Sequence, residues 1–178
     1  MRYKILDETG KESYREQILK MLSESDGEFV PPLSKRSSTT QKNFSGNTAT
    51  VNGDGVETYA GEMLRQKVLV CVEEDKIIGL VSFKEDYTNE CIGNDDLPNI
   101  YISTLLVSSS ARGMGVTKKM YSHLFFELYS DRSVYTRTWS TNTAHIKILE
   151  GFGFEELSRI ENDRGKGIDT VYFSRSAN

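Results

Sequence analysis

The run Asn99-Ile-Tyr-Ile-Ser-Thr-Leu-Leu-Val107, followed by Ser108-Ser-Ser-Ala-Arg112-Gly-Met-Gly115 and then Val116-Thr-Lys-Lys-Met120, reads as a strand, a glycine turn and a helix. Its first part is apolar enough for a central strand covered on both faces. The helix repeats apolar side chains at Val116, Met120, Tyr121, Leu124, Phe125 and Leu128, the spacing of one buried stripe. A helix that opens straight out of a tight turn leaves backbone N–H groups without partners, and its dipole adds positive potential at the same place. That arrangement suits phosphate. Gly113 and Gly115 let the chain bend and a bulky diphosphate approach, with the Arg112 guanidinium at the mouth of the turn. Read alone, Gly-x-Gly is equally a steric need for small residues, so the context must decide.

Upstream, Lys67–Val72 and Ile77–Phe83 are β-rich runs separated by Glu73-Glu74-Asp75-Lys76, which predicts a hairpin. Further back, Tyr14, Ile18, Leu19 and Leu22 line one face of a helix expected over Lys11–Leu22, and a short helix is expected over Glu57–Arg65. The intervening residues 24–55 are rich in Ser, Thr, Asn and Gly, include Pro31 and Pro32, and show no period; such a long connection reads as a lid or a loose loop. Downstream come a strand over Val134–Trp139, a short helix over Thr143–Glu150 ended by Gly151 and Gly153, and closing strands over Phe154–Ile160 and Ile168–Ser174.

At 178 residues, 37% of them apolar, the chain is expected to form one soluble domain, 1–178. No apolar run approaches the roughly 18 residues of a membrane span. Met1–Asp7 reaches a charge too soon for a secretory leader, so a cytoplasmic location is expected. The net charge of −4 disfavours nucleic acid as a partner. Cys71 and Cys91, and His123 and His145, stand at no ligand or triad spacing, so no metal site is expected. A dinucleotide fold would need glycine where Lys118 stands, and no Walker loop is present.

These residues resemble the GCN5-related N-acetyltransferases (GNAT). That family's diphosphate pattern, Arg or Gln, two residues, Gly, one residue, then Gly or Ala, is met by Arg112 and Gly115, with Thr117 in the last slot. Its second element, Asn followed eleven and twelve residues later by Gly-Phe, is met by Asn142, Gly153 and Phe154. The resemblance implies an α/β (α+β) fold, a mixed and mostly antiparallel central sheet of about seven strands flanked by four helices. It also implies an acetyl-CoA-dependent N-acetyltransferase that moves an acetyl group to a primary amine of a small molecule or peptide by direct attack. No metal takes part, and a homodimer is compatible with this reading. Backbone groups of Leu106 and Val107 would pair with the pantetheine arm. Arg112, Gly113, Met114, Gly115, Val116 and Thr117 would hold the diphosphate. Asn142 would bind the pantetheine, or else cap the following helix.

Two departures bear on mechanism. Thr117 is bulkier than the usual glycine or alanine, and Leu149 stands where many members carry the tyrosine that protonates the departing thiolate. Tyr121 and Tyr135 are substitute acids, and Glu85 or Glu73 a base acting through water, although each is equally a packing or solvated residue. The acids between Glu85 and Pro98 would suit a cationic acceptor, whereas Lys35-Arg36 and Asp163-Arg164-Gly165-Lys166-Gly167 would grip a carboxylate or phosphate. Without an assigned acid or base, a non-catalytic acyl-CoA-binding regulatory module is the alternative.

Overall fold

The structure, a computed structural model, describes residues 1–42, 44 and 55–177. Seven strands are present: β1 (Arg2–Ile5), β2 (Lys67–Glu73), β3 (Lys76–Glu85), β4 (Asn99–Val107), β5 (Ser133–Trp139), β6 (Glu155–Ile160) and β7 (Thr170–Arg175). They form one sheet in the order β1-β2-β3-β4-β5-β7-β6, in which only β4 and β5 are parallel. The mixed, mostly antiparallel sheet is the expected one. β1 had no apolar alternation to mark it, because it is an edge strand with most of its residues exposed.

Helices α1 (Glu8–Ser13), α2 (Arg15–Ser25) and α3 (Gly55–Leu64) precede the central strands; α4 (Val116–Ser122) and α5 (Thr143–Gly151) follow β4 and β5. The single helix expected over Lys11–Leu22 is two, broken at Tyr14, and it begins earlier because the Asp7 carboxylate accepts the Gly10 N–H at 2.7 Å. Beyond Ser122 the α4 axis continues to Leu128 as a π-helical stretch, with Tyr129 N–H donating to Leu124 O at 3.0 Å. Ile18, Leu22, Tyr59, Met63, Val70 and Leu80 form one apolar cluster, between α2, α3 and the sheet. Phe83, Ile100, Met120, Phe125 and Leu149 belong to the other, beneath α4 and α5. β4 thus lies between two cores, which is why its sequence is apolar without alternation.

The lid expectation for 24–55 lies partly outside the described residues. Within them the segment is folded onto the body: Leu33 is fully buried, and the Asp26 carboxylate accepts both the Ser34 N–H (2.7 Å) and its hydroxyl (2.8 Å).

Two local features open a site in the sheet. β4 and β5 pair only from Asn99↔Ser133 to Ile102↔Thr136, where the Thr136 hydroxyl donates to Ile102 O at 3.1 Å. Beyond this point β5 stays with β7 and β4 stays with β3, so a wedge parts them. Opposite the wedge, α4 presses close on β3 at Gly79, where a Cβ would meet Val116 Cγ1 at 2.8 Å and Met120 Cε at 2.9 Å.

Candidate active site

The wedge is the head of a cavity of about 340 Å³ lined from Ile102 to Val107 on β4 and from Thr136 to Trp139 on β5. Ser108 N–H donates to Ile78 O at 2.9 Å, so the period of two turns the backbone groups of Leu106 toward β3 and those of Leu105 and Val107 toward the wedge. The strand edge expected at Leu106 and Val107 therefore belongs to Leu105 and Val107. Leu106 still lines the cavity.

At the end of β4 the chain turns through Gly113 (φ +77°) and Gly115 (φ +74°), a left-handed conformation that disfavours any other side chain. Among the described residues, the N–H groups of Gly113, Gly115, Val116, Thr117 and Lys118 have no acceptor. Arg112 and Thr117 line the cavity beside them. The Arg112 guanidinium is engaged: it meets the Glu28 carboxylate at 2.8 Å, with the two side chains 46% and 52% exposed, and donates to Val107 O at 3.4 Å. Asn142 lines the cavity and also caps α5, accepting the His145 N–H at 3.4 Å while donating to the Thr138 hydroxyl at 3.1 Å. His145, one helical step on, is in the wall too; its Nε2 meets the Tyr121 hydroxyl at 2.8 Å, and burial pulls its pKa down to about 4, so the ring is neutral at pH 7.

The opposite wall holds Phe29, Arg36, Thr39, Arg137, Trp139 and Arg164. Phe29 and Trp139 pack ring to ring at 5.7 Å, and the Arg164 guanidinium lies 5.7 Å from the Trp139 ring. Burial lowers Arg36 to about 10 and Arg164 to about 9, the charges of Arg36 and Arg137 adding to the fall at Arg164; all three stay cationic at neutral pH. Among the described residues Glu28 is the one carboxylate in the cavity wall.

The family model of the acetyltransferase (GNAT) family matches residues 44–154, which contain β2 to β5, the α4 turn and α5. The chain belongs to the GNAT acetyltransferases. Similar folds include an aminoglycoside 6'-N-acetyltransferase complexed with coenzyme A, at 13% identity and a TM-score of 0.67 over 99% of this chain and 97% of the other. Another is a ribosomal-protein-alanine N-acetyltransferase from Brucella melitensis, at 16% identity and a TM-score of 0.64 over 99% of each chain. The structure of yncA from Salmonella typhimurium, with its cofactor acetyl-CoA, aligns at 17% identity and a TM-score of 0.61 over 100% of this chain and 94% of that one. No curated protein matches the chain.

In this GNAT chain none of Tyr121, Tyr135 and Glu85 lines the cavity. Tyr135 donates to Asp96 at 2.7 Å, and burial together with that carboxylate pushes it up to about 12. Burial would raise Glu85, but the Lys67 ammonium at 2.9 Å outweighs it and holds the carboxylate low, as a solvated ion pair. Glu73 sits at the far end of the β2–β3 hairpin beside the N-terminus. Tyr121 is fully buried, shifted upward by burial, and meets the cavity only through His145. Leu149 is fully buried in the α4–α5 core. Of the other acids of 85–98, Asp86 is committed to Arg132, Glu90 to Lys42 and Asp96 to Tyr135, and none of the stretch lines the cavity. Arg137 and His145 escaped the sequence reading of the cavity. The signal for Arg137 was present: it alternates with Tyr135 and Trp139 on β5, a charge in an otherwise aromatic row.

Proposed function

We propose that this GNAT chain transfers an acetyl group from acetyl-CoA to a primary amine of a small molecule or peptide by direct attack. The observation that carries this reading is the juxtaposition of a strand edge without a β partner, Leu105 and Val107, with the N–H groups of Gly113, Gly115, Val116, Thr117 and Lys118, which have no acceptor among the described residues, at the start of α4. An extended arm with amides pairs with the former as an added strand, and a diphosphate accepts from the latter. Arg112 exchanges Glu28 for the diphosphate, and Thr117 adds a hydroxyl. Asn142 keeps its capping bond and offers its remaining capacity to the arm. The thioester carbonyl then lies in the wedge, where a backbone N–H of β4 stabilises the charge that develops on its oxygen.

The amine enters from the Phe29–Trp139 side and attacks the carbonyl carbon. A thiol with pKa about 8.5 leaves without strong acid assistance, which fits a leucine at 149. Neutral His145, whose Nε2 meets the Tyr121 hydroxyl, lines the same cavity.

Coenzyme A release across a panel of amines, with Arg112→Ala beside the wild type, tests the reading. Amine-dependent release with about tenfold weaker acetyl-CoA affinity in the variant is expected from loss of a charge-assisted contact. Acetyl-CoA binding without release for any amine would instead leave the chain an acyl-CoA-binding module.

A further inference from the structure

The cavity wall opposite α4 gathers three arginines that are far apart in sequence: Arg36 from the segment after α2, Arg137 from β5 and Arg164 from the β6–β7 connection. All three guanidiniums lie around one ring, 5.3, 5.2 and 4.7 Å from the centroid of Phe44 respectively. Arg36 and Arg164 are only 6% and 8% exposed. Their hydrogen bonds go to neutral oxygens. Arg36 donates to Pro31 O and Val30 O, Arg164 to Val30 O and the Thr170 hydroxyl, and Arg137 to the Tyr172 hydroxyl. Among the described residues none of the three forms an ion pair. The neighbouring acid, Asp163, spends its two oxygens on the Thr170 hydroxyl and the Phe44 N–H, and it does not line the cavity.

Clustered, poorly hydrated cations repel one another, and buried charges are ordinarily paired. Aromatic faces offset a part of this cost. Each guanidinium carries five donors, of which the bonds named above use one or two, and the lining of the cavity beside them includes Ser103, Thr104, Thr136 and Thr138. Donors held in this way match a planar or tetrahedral oxyanion.

We propose that the acetyl acceptor is a small amine that also carries an oxyanion, a carboxylate or a phosphate, and that Arg36, Arg137 and Arg164 hold this group. The inference rests on the acetyltransferase reading and names its substrate class. The same cluster has a second consequence. Its positive potential disfavours the ammonium form of the bound acceptor and so favours the free amine that attacks. A wall whose one described carboxylate is paired with Arg112 is then sufficient.

The test compares carboxylate-bearing amines (amino acids) and aminoalkyl phosphates with their amides and alcohols, and with polyamines and aminoglycosides, on wild type and Arg137→Gln. Arg137 has the fewest internal bonds of the three, and the acetyl-CoA dissociation constant and melting temperature verify that the variant folds. One anionic series is expected to exceed its uncharged counterparts by about thirtyfold in kcat/KM, as a multidentate charge-assisted contact requires. Which series wins tells carboxylate from phosphate. In Arg137→Gln that advantage falls about tenfold or more, mainly through KM, and the acidic limb of the pH profile moves to higher pH for every acceptor, while acetyl-CoA affinity is unchanged and the KM of uncharged amines, read on the pH plateau, changes far less than that of the anionic ones. A preference for neutral or cationic amines, or equal losses for anionic and uncharged acceptors, overturns the inference and leaves acetyl transfer standing. If no amine is acetylated, calorimetry with the amino acids and inorganic phosphate decides: Arg137-dependent binding keeps the anion site while acetyl transfer fails, and no binding sinks the site.

Discussion

The two walls of the cavity are built by different means. On the α4 side the donors are main-chain groups of one contiguous stretch, Leu105 to Lys118, and the charged side chain of that stretch that lines the cavity, Arg112, is half exposed and tied to Glu28. On the opposite side the donors are side chains brought from residues 36, 137 and 164 around Phe44, with Arg164 also beside Trp139; Arg36 and Arg164 are withdrawn from water and Arg137 is partly so. Main-chain recognition needs a backbone shape and little else, so it survives changes in most side chains. Side-chain recognition needs each guanidinium in place, and one substitution alters which molecule fits. On the proposed reading, the contrast separates an acetyl-donor wall that needs one shape from an acceptor wall that needs a charge.

The largest effect should come from the backbone shape itself. Gly115→Val forces a β-branched residue into φ +74° and is expected to weaken coenzyme A binding about a hundredfold by calorimetry, with anion binding at the arginine wall retained. Loss of both together would show that the walls are not independent. Next, Leu149→Tyr restores the acid common in the family, but the position is fully buried among Phe125, Tyr121 and their neighbours. Overpacking should lower stability by about 1–3 kcal/mol without raising kcat. A faster enzyme with an unchanged melting temperature would place position 149 in the cavity instead. The smallest change is expected for Glu28→Gln. Freeing Arg112 from an ion pair exposed by about half should tighten coenzyme A binding by no more than about fivefold, the range of exposed pairs, and most visibly at low salt.

Much of the donor wall was legible in the chain. A β4 buried on both faces, the glycines at 113 and 115 and the helix stripe from Val116 to Leu128 are local patterns, and local patterns survive in sequence. The place of Asn142, at the cap of α5 and in the cavity lining, fits its distance to Gly153 and Phe154. The π-helical end of the α4 axis and β1 were not, the first because its apolar spacing barely differs from an α-helix over one turn, the second because an exposed edge strand has no alternation to show. Tyr135 and Glu85 looked available as acid and base, yet Asp96 and Lys67, 39 and 18 residues away in the chain, had already claimed them.

By itself, then, the amino-acid sequence determined the strand, the turn and the helix on which the proposed diphosphate site rests, because hydrogen bonding within adjacent residues and glycine's freedom at positive φ are short-range matters. Only the tertiary structure decided the arginine wall. Charge patterning had left two opposite readings, the acids after Glu85 and the basic residues at 36 and 164, and only folding set the acids in outward ion pairs while adding Arg137 to the inward cluster. The reason is physical: whether a charge is solvated or withheld from water depends on what packs over it, and those atoms come from distant parts of the chain.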